Sequence, residues 1–348
     1  MTQPQVPYLE GVLAQPDNLE RSRAVVAESL RAPLPSRFTD PDATLLLVGM
    51  GASLHACHPS VAVLRASGRR AWAVSPTEVL AGPPAAALGD AVVAVSQSGR
   101  SAETVAAMDA LSSLPSVGVC NDAGSPLGVR VGSVVAMGSQ PDTPVSTLTY
   151  TAGLQALGML CEHLVRESAP GGPDGREPAA DWAGLPGLAR QVLERSHDTA
   201  RAVGERWCAS GSVDVVAGVP GLASAAESAL LLREAAHVPA AATDTLQYLH
   251  GPLEVAEPGR AALVLGDGRE VALARSLAEY GCDVLLVTTV DVPTEGGLTV
   301  LRLPPLPPVA RGVVEVLPIQ LLTWYLARAR GLDVTGFRHH QDDTKLPA

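Results

Sequence analysis

Short apolar runs, set off by turns rich in serine and glycine, organise the first half of the chain. Leu45–Val48, Ala71–Val74, Ala91–Val95, Val117–Cys120 and Ser133–Met137 read as strands. Helices are predicted to begin near Ser53, Ser101 and Ser146, each introduced by an N-cap residue type. This βα alternation predicts an α/β fold with a doubly wound parallel sheet and ligands at the carboxyl ends of its strands. A Pro/Gly-rich polar break, Glu167 to Pro178, reads as a linker over 167–180. The pattern then restarts with a helix over about Leu185–Ala209, a strand Val213–Ala217 and a helix Ala223–Ala236. Strands Ala261–Leu265, Val284–Thr288 and Leu298–Leu303 follow, then a long helix Val313–Arg330. The halves read as tandem copies of one architecture, over 41–166 and 181–335. An arm (1–40) precedes them, its opening helix Tyr8–Ala14 expected to pack across the first domain, and a tail (336–348) follows.

Two turns carry the candidate chemistry. The strand Ala91–Val95 empties into Ser96-Gln97-Ser98-Gly99-Arg100-Ser101, all hydroxyl, amide or glycine apart from Arg100. Glycine lets the backbone pass close to a ligand, while hydroxyls and a fresh helix N-terminus offer donors to an anion. Gly49-Met50-Gly51-Ala52-Ser53 repeats the arrangement after Leu45–Val48, so two turns on adjacent strands predict one phosphate cradle. In the second half the corresponding strand runs into Gly266-Asp267-Gly268-Arg269-Glu270. An acidic turn repels phosphate, which leaves one phosphate site, in the N-terminal half.

Composition narrows the class. The 348 residues suffice for two domains, and a net charge of −11 argues against nucleic acid and an anionic membrane surface. Five scattered cysteines with no CxxC pair fit structural thiols in a reduced cytoplasm. No signal peptide opens the chain, and no apolar run approaches the roughly 20 residues that span a bilayer. The close histidine pairs, His55/His58 and His339/His340, bring no third ligand at metal spacing, so neither metal nor cofactor is predicted. Lys345 is the single lysine in an arginine-biased chain, which marks its titratable amine for attention.

Taken in order, these features resemble the double sugar-isomerase (SIS) domain family, known from the isomerase half of glucosamine-6-phosphate synthase. The resemblance is carried by Tyr8-Leu9-Glu10 with Gln15-Pro16, by Gly49-x-Gly51-x-Ser53, by Ser96-Gln97-Ser98-Gly99 and by Cys120-Asn121. Ser146-Thr147, Tyr150-Thr151, Glu227, Arg233-Glu234, His250-Gly251-Pro252 and the Pro318-to-Leu322 helix complete it. It implies two flavodoxin-like α/β/α sandwiches in tandem. With seven residues before the arm helix and no N-terminal Cys nucleophile, a glutaminase half and glutamine-driven amination are not expected.

The resemblance also implies roles. Gly51, Ala52, Ser53, Ser96, Gln97, Ser98 and Ser101 would hold the phosphate, with Ser146 and Thr147 toward the sugar. Arg100 stands where relatives often carry an acid and is expected to strengthen anion attraction. Glu234 would move a proton between C1 and C2 through an enediol or enamine, a task that suits a carboxyl lifted toward neutrality by burial. His250 would open the sugar ring and reach the partner subunit's site in a homodimer, and Lys345 would close the tail over the substrate. Glu227, two helical turns before Glu234, and Arg233 read as supporting residues, and His237 lies within hydrogen-bonding spacing of Glu234 on that helix. Leu231 and Leu148 replace lysines of the synthases, pointing to a different sugar or a different outcome at C2. The expectation is a phosphosugar isomerase or aminosugar-phosphate deaminase acting on a hexose 6-phosphate. A non-catalytic phosphosugar sensor is the alternative.

Overall fold

The computed structural model describes residues 6–168, 180–339 and 341–347, so most of the expected linker lies outside the described residues. The chain divides into two compact units. One comprises Asp17–Gln140, Leu148–Pro186 and His339–Ala348; the other comprises Met1–Pro16, Pro141–Thr147 and Gly187–Arg338.

The first unit is built on β1 (Thr44–Gly49), β2 (Arg70–Val74), β3 (Ala91–Val95), β4 (Ser116–Cys120) and β5 (Ser133–Ala136). They form one sheet in the order β2-β1-β3-β4-β5, and every pair is parallel. All five residues of β3 and all five of β4 are buried, which is why these strands read as unbroken apolar runs instead of alternating. Leu46, Val48, Val92 and Ala94 meet Val105, Met108 and Leu111 in the core beneath the helix Ala102–Ala110.

The second unit carries β6 (Val213–Ala217), β7 (Ala240–Asp244), β8 (Ala261–Leu265), β9 (Asp283–Thr288) and β10 (Leu298–Arg302), in the order β10-β9-β8-β6-β7. Counted from its own first strand, this sheet repeats the order of the first. It too is parallel throughout. The edge strand β7 has no counterpart in the sequence reading. Its Ala-Ala-Ala-Thr-Asp run is poor in β-branched and aromatic side chains, and it is held through pairing with β6.

The arm differs from expectation. The helix Tyr8–Leu13 belongs to the second-sheet unit, not to the first domain. The buried Tyr8 hydroxyl donates to the Gln320 carbonyl at 3.2 Å, and Gln15 Nε2 donates to Gln320 Oε1 at 2.9 Å. A buried amide such as Gln320 must find partners: Gln15 of the arm meets its oxygen, and its Nε2 donates to the Thr147 carbonyl at 3.3 Å.

Gln320 lies on the helix Pro308–Ala329, which is long and apolar enough to cross a membrane by length and composition, although Arg311, Glu315 and Arg328 interrupt its apolar run. In this fold it is a core helix, with 83% of its apolar window buried. It also carries Glu315, fully buried, which accepts from Arg311 Nε at 2.5 Å and from Ser224 Oγ at 2.7 Å. Arg311 Nη1 reaches Asp267 Oδ2 at 2.6 Å. Burial raises the Glu315 pKa, and Arg311 opposes that rise most strongly. Arg311→Ala would strand that carboxylate, so urea unfolding should report a loss of about 3–5 kcal/mol. A loss under 1 kcal/mol would mean that Arg311 does not hold the network together.

Candidate functional site

In the first-sheet unit, β1 and β3 are neighbours that end side by side, with Val48 opposite Ala94 and Gly49 opposite Val95. Beyond β3 the backbone is pinned on both sides. Ser96 N donates to Val119 O at 3.1 Å, Asn121 N donates to Gln97 O at 3.0 Å, and Leu127 N donates to Gly99 O at 2.9 Å. Gly99 takes φ 64°, and a Cβ there would lie 1.9 Å from Ser125 Oγ, so the turn admits only glycine on both counts. Ser96 and Ser101 are buried, Gln97 and Ser98 half-buried. Ser98 Oγ accepts from Arg100 N at 3.3 Å. Ser101 occupies the N-cap position, yet its hydroxyl donates to Glu103 Oε2 at 3.3 Å and caps no backbone N–H. Glu103, unremarked in the sequence, was legible only as an acid in the first turn of a helix.

Beyond β1, Gly51 at φ 55° opens the helix Ala52–Ala66. Its carbonyl accepts from Leu54 N at 2.9 Å and His55 N at 3.0 Å, and Ser53 stands half-buried in the first turn.

The same unit brings Lys345 to the β3 turn. Lys345 pairs with Ser101 in an antiparallel bridge, where Ala102 N donates to Thr344 O at 3.2 Å and Leu346 N donates to Arg100 O at 2.8 Å. Burial lowers the Lys345 pKa, and the nearby charge of Glu103 pulls it back upward. The Arg100 guanidinium donates to the Pro347 carbonyl, so its partner is the chain itself.

The second-sheet unit holds the candidate acid–base groups. Glu227 and Glu234 lie on the helix Leu222–Glu234, Glu227 buried and Glu234 half-buried at its last residue. Burial first, then the charge of Glu227, push the Glu234 carboxyl up to about 8; exposed Arg233 pulls in the opposite direction. The buried Tyr8 hydroxyl feels the charges of Glu227 and Glu234 and is pushed well above its ordinary range, chiefly by burial. His237 is not on the helix: the helix ends at Glu234, and His237 takes φ 51° beyond it. His250 is exposed after the short helix Thr245–Tyr248, with its N–H donating to Gln247 O at 3.0 Å.

Ser146 and Thr147 belong to this second-sheet unit. Thr147 Oγ1 donates to Asp142 Oδ1 at 2.8 Å and Thr147 N donates to Asp142 Oδ2 at 2.9 Å, so its hydroxyl serves the loop. The helix starts at Leu148 instead of Ser146. Leu148 and Leu231, which the sequence reading sets where the synthases carry lysines, are both fully buried.

The turn after β8, where the second sheet could repeat the cradle, is filled from within. Glu270 is buried in the first turn of the helix Arg269–Glu279. It accepts from Thr245 Oγ1 at 2.6 Å and Gly268 N at 3.1 Å. Beside it, burial works against Asp267, but bonds from Arg311, Thr289 N and Thr288 Oγ1 bring its pKa down to about 2.

The chain matches no protein-family model. It is 29% identical over 307 residues to the glutamine–fructose-6-phosphate aminotransferase [isomerizing] of Aeropyrum pernix, a match spanning 83% of this chain and 49% of that protein. The chain therefore spans about half the length of that relative. Its fold follows the C-terminal domain of glucosamine-fructose-6-phosphate aminotransferase from Francisella tularensis with a TM-score of 0.83. That likeness covers 94% of this chain and 97% of the other, at 18% identity. Glucosamine-6-phosphate deaminase from Thermotoga maritima superposes with a TM-score of 0.74 at 18% identity, over 96% and 98% of the two chains. At such identities the structural likeness is one of fold. Sequence similarity to the isomerizing aminotransferase and the doubled 2-1-3-4-5 sheets bear out the resemblance to the double sugar-isomerase (SIS) domain family.

Proposed function

We propose that this protein is a phosphosugar isomerase or aminosugar-phosphate deaminase that moves a proton between C1 and C2 of a hexose 6-phosphate. The observation that carries this reading is Glu234, a half-buried carboxyl lifted to about 8 by burial and by Glu227. Such a group exchanges its proton near neutral pH, as a base that takes a proton from one carbon and returns it to the next must do. The phosphate is assigned to Ser53, Ser96, Gln97, Ser98 and Ser101 with the backbone of Gly51 and Ala52. Hydroxyls and amides there offer neutral donors to a dianion. His250 is assigned to ring opening and Lys345 to the open-chain sugar.

The relatives' names support this class of chemistry: one is an isomerizing aminotransferase, and another, similar in fold, is a deaminase. Both reactions pass through an enediol or enamine formed by the same proton transfer, and they differ in whether nitrogen leaves. The reading includes a cytoplasmic homodimer in which His250 serves the neighbouring subunit, and sedimentation should give twice the chain mass. A monomer that turns over substrate would remove His250 from that role.

Glu234→Gln keeps the shape and loses the base. Turnover should fall by about 10²–10⁴ while phosphosugar affinity by calorimetry stays within about twofold. Turnover within tenfold of the wild type would contradict the assignment.

The pH profile follows from the same carboxyl. Proton abstraction needs the carboxylate, so kcat/KM should rise with pH and level off above about 8. Removing the Glu227 charge lowers the cost of ionising Glu234, so Glu227→Gln should move this limb to lower pH. A limb that stays in place, or moves upward, would show that Glu227 does not tune the base.

A further inference from the structure

Arg100 is the one charged side chain in the hydroxyl turn, and the contacts around it run to residues 344–347. Its guanidinium donates to the Pro347 carbonyl and its carbonyl accepts from Leu346 N at 2.8 Å. Two residues on, Ala102 N donates to Thr344 O at 3.2 Å. Thr344, Leu346 and Pro347 are therefore each bonded to residues 100–102, and Lys345 sits between them opposite Ser101. Leu346 adds an apolar anchor, packing against the core that includes Val105 and Met108.

We infer that Arg100 is a positioning residue that latches the 344–347 segment onto the turn and so presents Lys345 there, and that it is not an anion ligand. The inference rests on reading Ser96–Ser101 as the anion turn. A guanidinium offers donors in a fixed fork, and a backbone carbonyl suits one arm of it. An acidic side chain in the same place has no proton to give that carbonyl and would repel it. The backbone that faces the anion is the same backbone that carries the segment, so the two functions share one scaffold.

The Lys345 amine has reason to be held. Flexible, strongly hydrated ammonium groups lose several rotamers when fixed, and the latch meets that cost through its neighbours on both sides. Burial at the turn lowers its pKa, which raises the share of neutral amine at a given pH.

Hydrogen exchange by mass spectrometry on the full chain tests the latch apart from turnover. Arg100→Ala should speed exchange in the peptide that contains Leu346 by at least about tenfold, since its protection comes from this docking. Leu346→Ala, which leaves Arg100 intact, should do the same from the other side. Inorganic phosphate should bind wild type and R100A within about twofold by calorimetry. With the phosphosugar, R100A should lower kcat more than it raises KM. The double variant R100A/K345M should be no slower than K345M alone, because the latch acts through that lysine. Unchanged exchange in R100A with phosphate binding weakened tenfold or more would make Arg100 an anion ligand and overturn the inference. Additive losses in the double variant would also overturn it. If phosphate fails to bind the wild type while R100A still frees the segment, the phosphate reading falls and the latch stands.

Discussion

In a parallel sheet ordered 2-1-3-4-5, the chains leaving strands 1 and 3 turn to opposite faces, and the backbone N–H groups beyond those strands open onto a crevice. Those groups need acceptors, and what meets them decides what each unit can do. The two sheets here share that topology and meet the need differently. After β8 the connection is three residues, 266–268, and Glu270 folds back to accept from Gly268 N and Thr245. After β3 it runs through residues 96–101, lined by serines and an amide, with the 344–346 backbone bonded along its helix end. One unit supplies its own anion; the other holds the turn to which the phosphate is assigned in the proposed function. The asymmetry between two like halves follows from a few turn residues.

The second constraint is electrostatic. Glu227 and Glu234 lie on one helix, seven residues and so two turns apart, and burial makes it costly to charge both. Leu231, on the same helix, is fully buried. Burial and the charge of Glu227 push the Glu234 carboxyl up to about 8, against the pull of Arg233. A carboxyl so placed can take up and release a proton near neutral pH, which the proposed isomerisation and deamination both require. What separates those outcomes is the fate of the nitrogen or oxygen at C2.

Much of the fold was legible because buried parallel strands write themselves as apolar runs: β3, β6 and β8 begin and end where the pattern places them. The edge strand β7 was not, since three alanines carry no strand signal and only its neighbour holds it. The hydroxyl turn was visible as composition, but the use of Arg100 was not. Its partners lie some 245 residues away in sequence, and no local pattern reports a bond to the Pro347 carbonyl. Thr147 was legible as a hydroxyl at a helix start, but its bond to Asp142, five residues before it, was not. Glu234 could be named from the Arg-Glu pair and its distance to His250, whereas its raised pKa depends on burial that a sequence does not display.

Proton NMR in D2O with fructose 6-phosphate and then glucosamine 6-phosphate is the most direct measurement. If Glu234 moves a proton between C1 and C2, solvent deuterium should replace it, and the C1 or C2 proton signal should fade faster with the protein than without. Released ammonia or a new sugar would then identify the reaction. No exchange with any hexose 6-phosphate, while these ligands still raise the melting temperature, would contradict catalysis and make the protein a phosphosugar sensor.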